Sequence, residues 1–122
     1  MELGVGMTVT LSAEFIEQAQ AVGINLTAGT SLTTAIATTM FMVHVGGIKY
    51  MMLTRPLDDG APQFFQGSPF DGRAITLDQA RVIFDLHCQI VSPHDRIRDA
   101  ANMAIIQNML DNPADYPTAW AR

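Results

Sequence analysis

Two apolar runs, over 40–45 and over 48–54, flank Gly46-Gly47. That pattern predicts an antiparallel hairpin closed by a two-residue turn of primed type. Val45 would then face Ile48, Val43 would face Tyr50, and Phe41 would face Met52, all on one side of the sheet. The other side pairs His44 with Lys49, Met42 with Met51, and Met40 with Leu53. Only its tip is polar, so both faces of the hairpin need cover, from this chain or from a second copy.

Three further elements follow from their start and stop signals. Ser12 is a good N-cap for a helix over 13–22 that ends at Gly23. Thr76-Leu-Asp-Gln79 matches the capping box and opens a helix over 76–91, with Leu77, Ala80, Phe84, Cys88 and Val91 along its apolar stripe. Ser92-Pro93 with Asp95 opens another over 93–111, stopped by Asn112-Pro113. On that helix Ala100, Ala101 and Ala104 form one stripe, and Met103, Ile106 and Leu110 form a second, which calls for two partners.

Residues 7–11 alternate like a strand. The threonine-rich window 27–39 is open to two readings. Leu32, Ala35, Ile36 and Thr39 have helical spacing, and the expectation leans that way, yet β-branched residues suit a strand equally. The connection over 55–75 is long and holds Pro56, Pro62, Pro69, Gly60, Gly67 and Gly72, with an edge strand expected around 63–66. The fold class expected is therefore a single α+β domain spanning 1–122. A small antiparallel sheet, made of the 40–54 hairpin and the N-terminal strand, packs against about three helices and ends in an irregular tail over 112–122.

Composition agrees with a packed core: 122 residues, 48% of them hydrophobic and 16% charged. One cysteine excludes an intrachain disulfide framework and fits a reducing compartment, so the expected location is the cytoplasm. The apolar run over 35–53 is interrupted by His44, Gly46, Gly47 and Lys49, which argues against a membrane span. Net charge is −5, and no Lys or Arg occurs before Lys49. Nucleic-acid binding needs cations that displace phosphate counterions, so that balance argues against it.

Candidate chemistry is sparse. His87-Cys88 and His94-Asp95 lack the repeated spacing of a metal site, and Cys88 sits on an apolar stripe where a thiol behaves as a small hydrophobe. Asp58-Asp59-Gly60 and Asp71-Gly72 read as turns. No phosphate loop or nucleophile elbow is present. No catalytic residue, metal or cofactor is therefore expected.

The order of strand 7–11, helix 13–22 and a possible helix over 30–39 resembles the ribbon-helix-helix family. The resemblance covers about a quarter of the chain. It implies a dimeric regulator whose ribbon turns Thr8 and Thr10 outward and Val9 and Leu11 into the dimer core. The family's basic ribbon residues have no counterpart here.

The leading expectation is a non-enzymatic module that binds a protein partner, as small acidic inhibitors and immunity-type antagonists do. Phe64, Phe65 and Phe70 would be its anchors, with Asp58, Asp59 and Arg73 as rim. Met40, Met42, Met51 and Leu53 would support self-association into a homo-oligomer. The alternatives are a ribbon-helix-helix-like regulator and a small ligand-binding protein or enzyme with a pocket near His87 and Arg73.

Overall fold

A computed structural model describes residues 10–55 and 60–122. Five antiparallel strands run in simple sequence order: β1 (Leu32–Ala37), β2 (Met40–Val45), β3 (Ile48–Leu53), β4 (Phe64–Gln66) and β5 (Arg73–Ala74). Among the described residues four α-helices accompany them: α1 (Ala13–Ala21), α2 (Leu77–Ile90), α3 (Pro93–Arg98) and α4 (Ala100–Asp111). The fold is α+β, with more strands and helices than the sequence patterns alone indicate.

The β2–β3 register is the one read from the two-residue turn, from Val45↔Ile48 to Met40↔Leu53. Gly46 and Gly47 both have positive φ, as a primed turn requires. Phe41, Val43, Val45, Tyr50 and Met52 face the main core with Phe64. They meet Phe15 and Ala19 of α1, the apolar stripe of α2, and Met103, Ile106, Met109 and Leu110 of α4. On the opposite face Met51, Leu53 and Phe65 form a second, smaller cluster, with Met40 and Met42 half-buried against it.

The helix boundaries follow from their caps. Ser12 accepts the Phe15 N–H at the start of α1. At α2 the capping box is complete: the Gln79 N–H donates to Thr76 Oγ1, and the Thr76 N–H donates to Gln79 Oε1. The Gln79 amide also donates to the Val22 carbonyl, 2.9 Å away, tying α2 to the end of α1.

The structure corrects three expectations and leaves a fourth largely outside the described residues. Residues 32–37 form strand β1 rather than a helix, paired with β2 from Leu32↔Val45 to Ala37↔Met40. Leu32, Thr34 and Ile36 lie opposite Val45, Val43 and Phe41, so β-branched residues and a favourable register on β2 overcome the helical spacing. The expected N-terminal strand falls largely outside the described residues. Its two described members, Thr10 and Leu11, are not in a strand. The expected 93–111 helix breaks at Asp99, whose ψ of 22° lies outside the helical range. Arg98 holds that bend by pairing with Asp95 at 3.3 Å and Asp99 at 2.8 Å. The 112–122 tail is also less irregular than expected. A 3₁₀ turn covers Pro113–Asp115, Ala121 bridges Thr76, and Trp120 packs on Phe64 with ring centroids 5.3 Å apart.

Candidate functional site

The connection between β4 and β5 is a tight reversal, Gly67-Ser-Pro-Phe-Asp-Gly72, and its hydrogen bonds fix its shape. The Ser68 hydroxyl donates to Asp71 Oδ1 at 2.6 Å, and the Ser68 N–H donates to the same oxygen at 3.3 Å. Ser68 Oγ in turn accepts the Phe70 and Asp71 N–H groups. The Gly72 N–H closes the turn on the Ser68 carbonyl at 2.8 Å. Pro69 adds a fixed φ. These bonds from Ser68 hold the Asp71 carboxyl below the usual carboxylate range, helped by the charge of Lys49.

Two glycines make the reversal possible. Gly67 sits at φ +93°, and a Cβ at Gly72 would lie 2.2 Å from the Gln66 carbonyl oxygen and 2.7 Å from Ser68 backbone atoms. Gly72→Ala should therefore open the turn and cost more than about 1 kcal/mol, measured as a lowered urea midpoint.

The turn's product is Phe70, 88% exposed at its apex. The strands at the foot of the turn carry groups with polar ends. Gln66 and Arg73 are paired across β4–β5, and the Arg73 guanidinium donates to Gln66 Oε1 at 3.1 Å. Tyr50 lies one strand further in, opposite Gln66; burial pushes its hydroxyl pKa up, against the nearby charge of Arg73. Lys49 anchors the base of the turn through its carbonyl, which accepts the Gly67 N–H at 2.7 Å. Phe70 thus stands exposed on a hydrogen-bonded turn, with Asp71 beside it in the turn and Lys49 and Arg73 at the strands that carry the turn.

The other sequence candidates divide. Phe64 and Phe65 are buried, Phe64 in the main core and Phe65 in the opposite-face cluster, because β4 alternates and both faces of the sheet are apolar at that point. Of the three phenylalanines offered as anchors, only Phe70 is exposed; Phe64 and Phe65 fold back into the protein's own core. Arg73 lies on β5, paired with Gln66 at the foot of the turn that carries Phe70. Asp58 and Asp59 fall outside the described residues. Among the self-association candidates, Met51 and Leu53 are buried, whereas Met40 and Met42 are half-buried.

The expected pocket near His87 and Arg73 does not form. His87 is fully buried beneath β1 and β2: its ring stacks on Phe41 at 4.6 Å and its Nδ1 meets the Thr34 hydroxyl at 2.5 Å. Arg73 is on β5, at the far edge of the sheet. Successive strands are spaced by about 4.8 Å, so the whole sheet separates the two residues. The alanine stripe of the last helix has no partner among the described residues: Ala100, Ala101 and Ala104 are exposed.

A shallow groove does lie between α2 and α4. One part, about 380 Å³, is lined by Arg81, Asp85 and Leu110, and an adjoining part by Arg96 and Met103, with Phe84 and Cys88 common to both. Arg81 bridges its walls through the Leu110 carbonyl at 3.2 Å, and an Arg96 N–H donates to the Cys88 carbonyl. Burial pushes the Cys88 thiol pKa up, so little of it ionises near neutrality. Cys88 should accordingly react with iodoacetamide at pH 7 more slowly than free cysteine, in a labelling time course followed by mass.

Sequence reasoning missed Ser68, Gln66, Lys49 and the Gly67/Gly72 pair. The signal was present as Ser-Pro-x-Asp between glycines, a turn whose first and fourth residues can bond each other. Among the described residues, no three His, Cys, Asp or Glu side chains gather where a metal ion could be held, and no helix is long and apolar enough to cross a membrane. The ribbon-helix-helix resemblance loses its second helix to β1. Comparison of the chain with protein-family models, with curated proteins and with solved structures finds no match.

Proposed function

We propose that this protein is a non-enzymatic binding module that engages a protein partner through Phe70, in the manner of a small inhibitor or antagonist. The observation that carries the reading is the exposure of a single phenylalanine on a turn closed by hydrogen bonds from Ser68 and Gly72. A rigid aromatic loses little entropy on binding, and a large apolar side chain in water gains the most from a fitted pocket. Lys49, Asp71 and Arg73 would supply the polar rim, so the matching partner surface is an apolar pocket bordered by groups of both charge signs. The unpaired thiol of Cys88 supports a reducing compartment such as the cytoplasm.

The test compares immobilised wild type with Phe70→Ala in capture from a native cell extract. The expected result is a retained protein that the variant loses by at least about tenfold, while both baits melt at the same temperature. Equal retention by both baits would remove Phe70 from the interface.

A further inference from the structure

We infer that the protein forms a two-fold dimer by pairing β1 with β1 of a second copy, edge to edge and antiparallel. This inference is independent of Phe70, which lies at the other end of the sheet. It starts from the hydrogen-bond parity of the β1–β2 ladder. The Gly46 N–H donates to the Ser31 carbonyl at 2.8 Å, and antiparallel bonding alternates along a strand. Thr33, Ala35 and Ala37 therefore direct their backbone groups toward β2. Leu32, Thr34 and Ile36 direct theirs away from it, to the outer edge of the sheet.

No described strand takes up that edge. Edges of this length are normally guarded by a charge, a proline or a bulge, because unpaired N–H and C=O groups recruit other strands. Leu-Thr-Thr-Ala-Ile-Ala has no charge and no proline, and its register with β2 runs unbroken over all six residues. The absence of charge matters for the choice of occupant. A chain of net charge −5 repels its copy, but β1 brings no charged side chain to the contact.

The register is fixed by the same parity. Centring the two-fold on Thr34 sets Thr34 against its own copy and Leu32 against Ile36 of the copy, and uses every outward-directed group of the strand. Ile36, half-buried at the rim of the core, gains Leu32 of the copy as cover. On the opposite face Thr33 meets Ala35 of the copy, both small enough to pass. Ala35 and Ala37 are exposed there and adjoin Met42 and Met40, so the pairing joins two methionine patches into one.

Light scattering measures the mass, and disulfide trapping measures the register. Wild type at about 100 µM, a concentration that populates even a weak dimer, should show twice the 13.3 kDa of one chain. Ala35→Lys places a charge on the exposed side of the edge and should return the mass to that of one chain with an unchanged circular dichroism spectrum. In a Cys88→Ser background, Thr33→Cys with Ala35→Cys should form a disulfide-linked dimer on mild oxidation. These positions face each other across the axis as a close, non-hydrogen-bonded pair. Thr33→Cys alone should trap far less. A wild-type mass of 13.3 kDa would overturn the dimer, and a dimer that survives Ala35→Lys without trapping at 33 and 35 would overturn this interface.

Discussion

Phe64→Ala should lose about 3–5 kcal/mol of stability, the cost of emptying a fully buried aromatic site. In a domain of this size that is a drop of about 10–20 °C in melting temperature. Phe64 lies in the main core and its ring tilts against Trp120, the sole tryptophan, so the loss should also appear as a red-shifted emission in the native state. Phe70→Ala, six residues along the chain, should change stability by no more than about 0.5 kcal/mol, because its ring is in water. Chemical denaturation of the two variants side by side checks the contrast. Comparable destabilisation would mean that Phe70 packs on the protein and is no free anchor.

Acid should weaken the protein through His87, over a window set by its two environments. Burial, with a smaller push from Arg96, lowers its pKa from 6.5 to about 4, and Asp99 and Asp95 oppose the shift only in part. The ring is sandwiched near Phe41 and Phe84, and its Nε2 has no hydrogen-bond partner among the described residues. The unfolded chain thus takes up a proton near pH 6.5 that the folded chain refuses until about pH 4. Stability is fully present above 6.5 and falls as pH drops through that interval, by about 3 kcal/mol in all. The slope should flatten in His87→Phe, a near-isosteric change that leaves the Thr34 hydroxyl its contact with the Met42 carbonyl. Urea midpoints of both proteins at pH 7, 5.5 and 4.5 measure it, and an equal slope in the variant would assign the acid sensitivity to other groups.

Much of this architecture is written in local signals. The β2–β3 hairpin is specified by two apolar runs and by two glycines that accept positive φ, and α1 and α2 by side chains that cap their own first turns. What escaped had no local signal or had a competing one. The β1–β2 reversal uses Thr38-Thr39 with no positive φ, so none of the usual two-residue turn residues marks it. Pairing with β2 therefore decides between the two readings that the residues of β1 leave open. The break at Asp99 has neither glycine nor proline and depends on Arg98 reaching two carboxylates. At the candidate site, Phe64, Phe65 and Phe70 share one loop-like composition. Only pairing with β3 decides that the first two are sheet residues and the third an apex.

The binding role of the β4–β5 apex is tested most directly by photo-crosslinking at that position. Phe70→p-benzoylphenylalanine keeps an aromatic side chain on the turn and reacts with C–H bonds within a few ångströms when illuminated. Illuminating cells that express it should yield a discrete, higher-mass adduct containing one other protein, absent when the same group replaces exposed Ala28 on the opposite side of the chain's order of elements. Adduct-free protein at position 70, or the same adducts from both positions, would contradict the account.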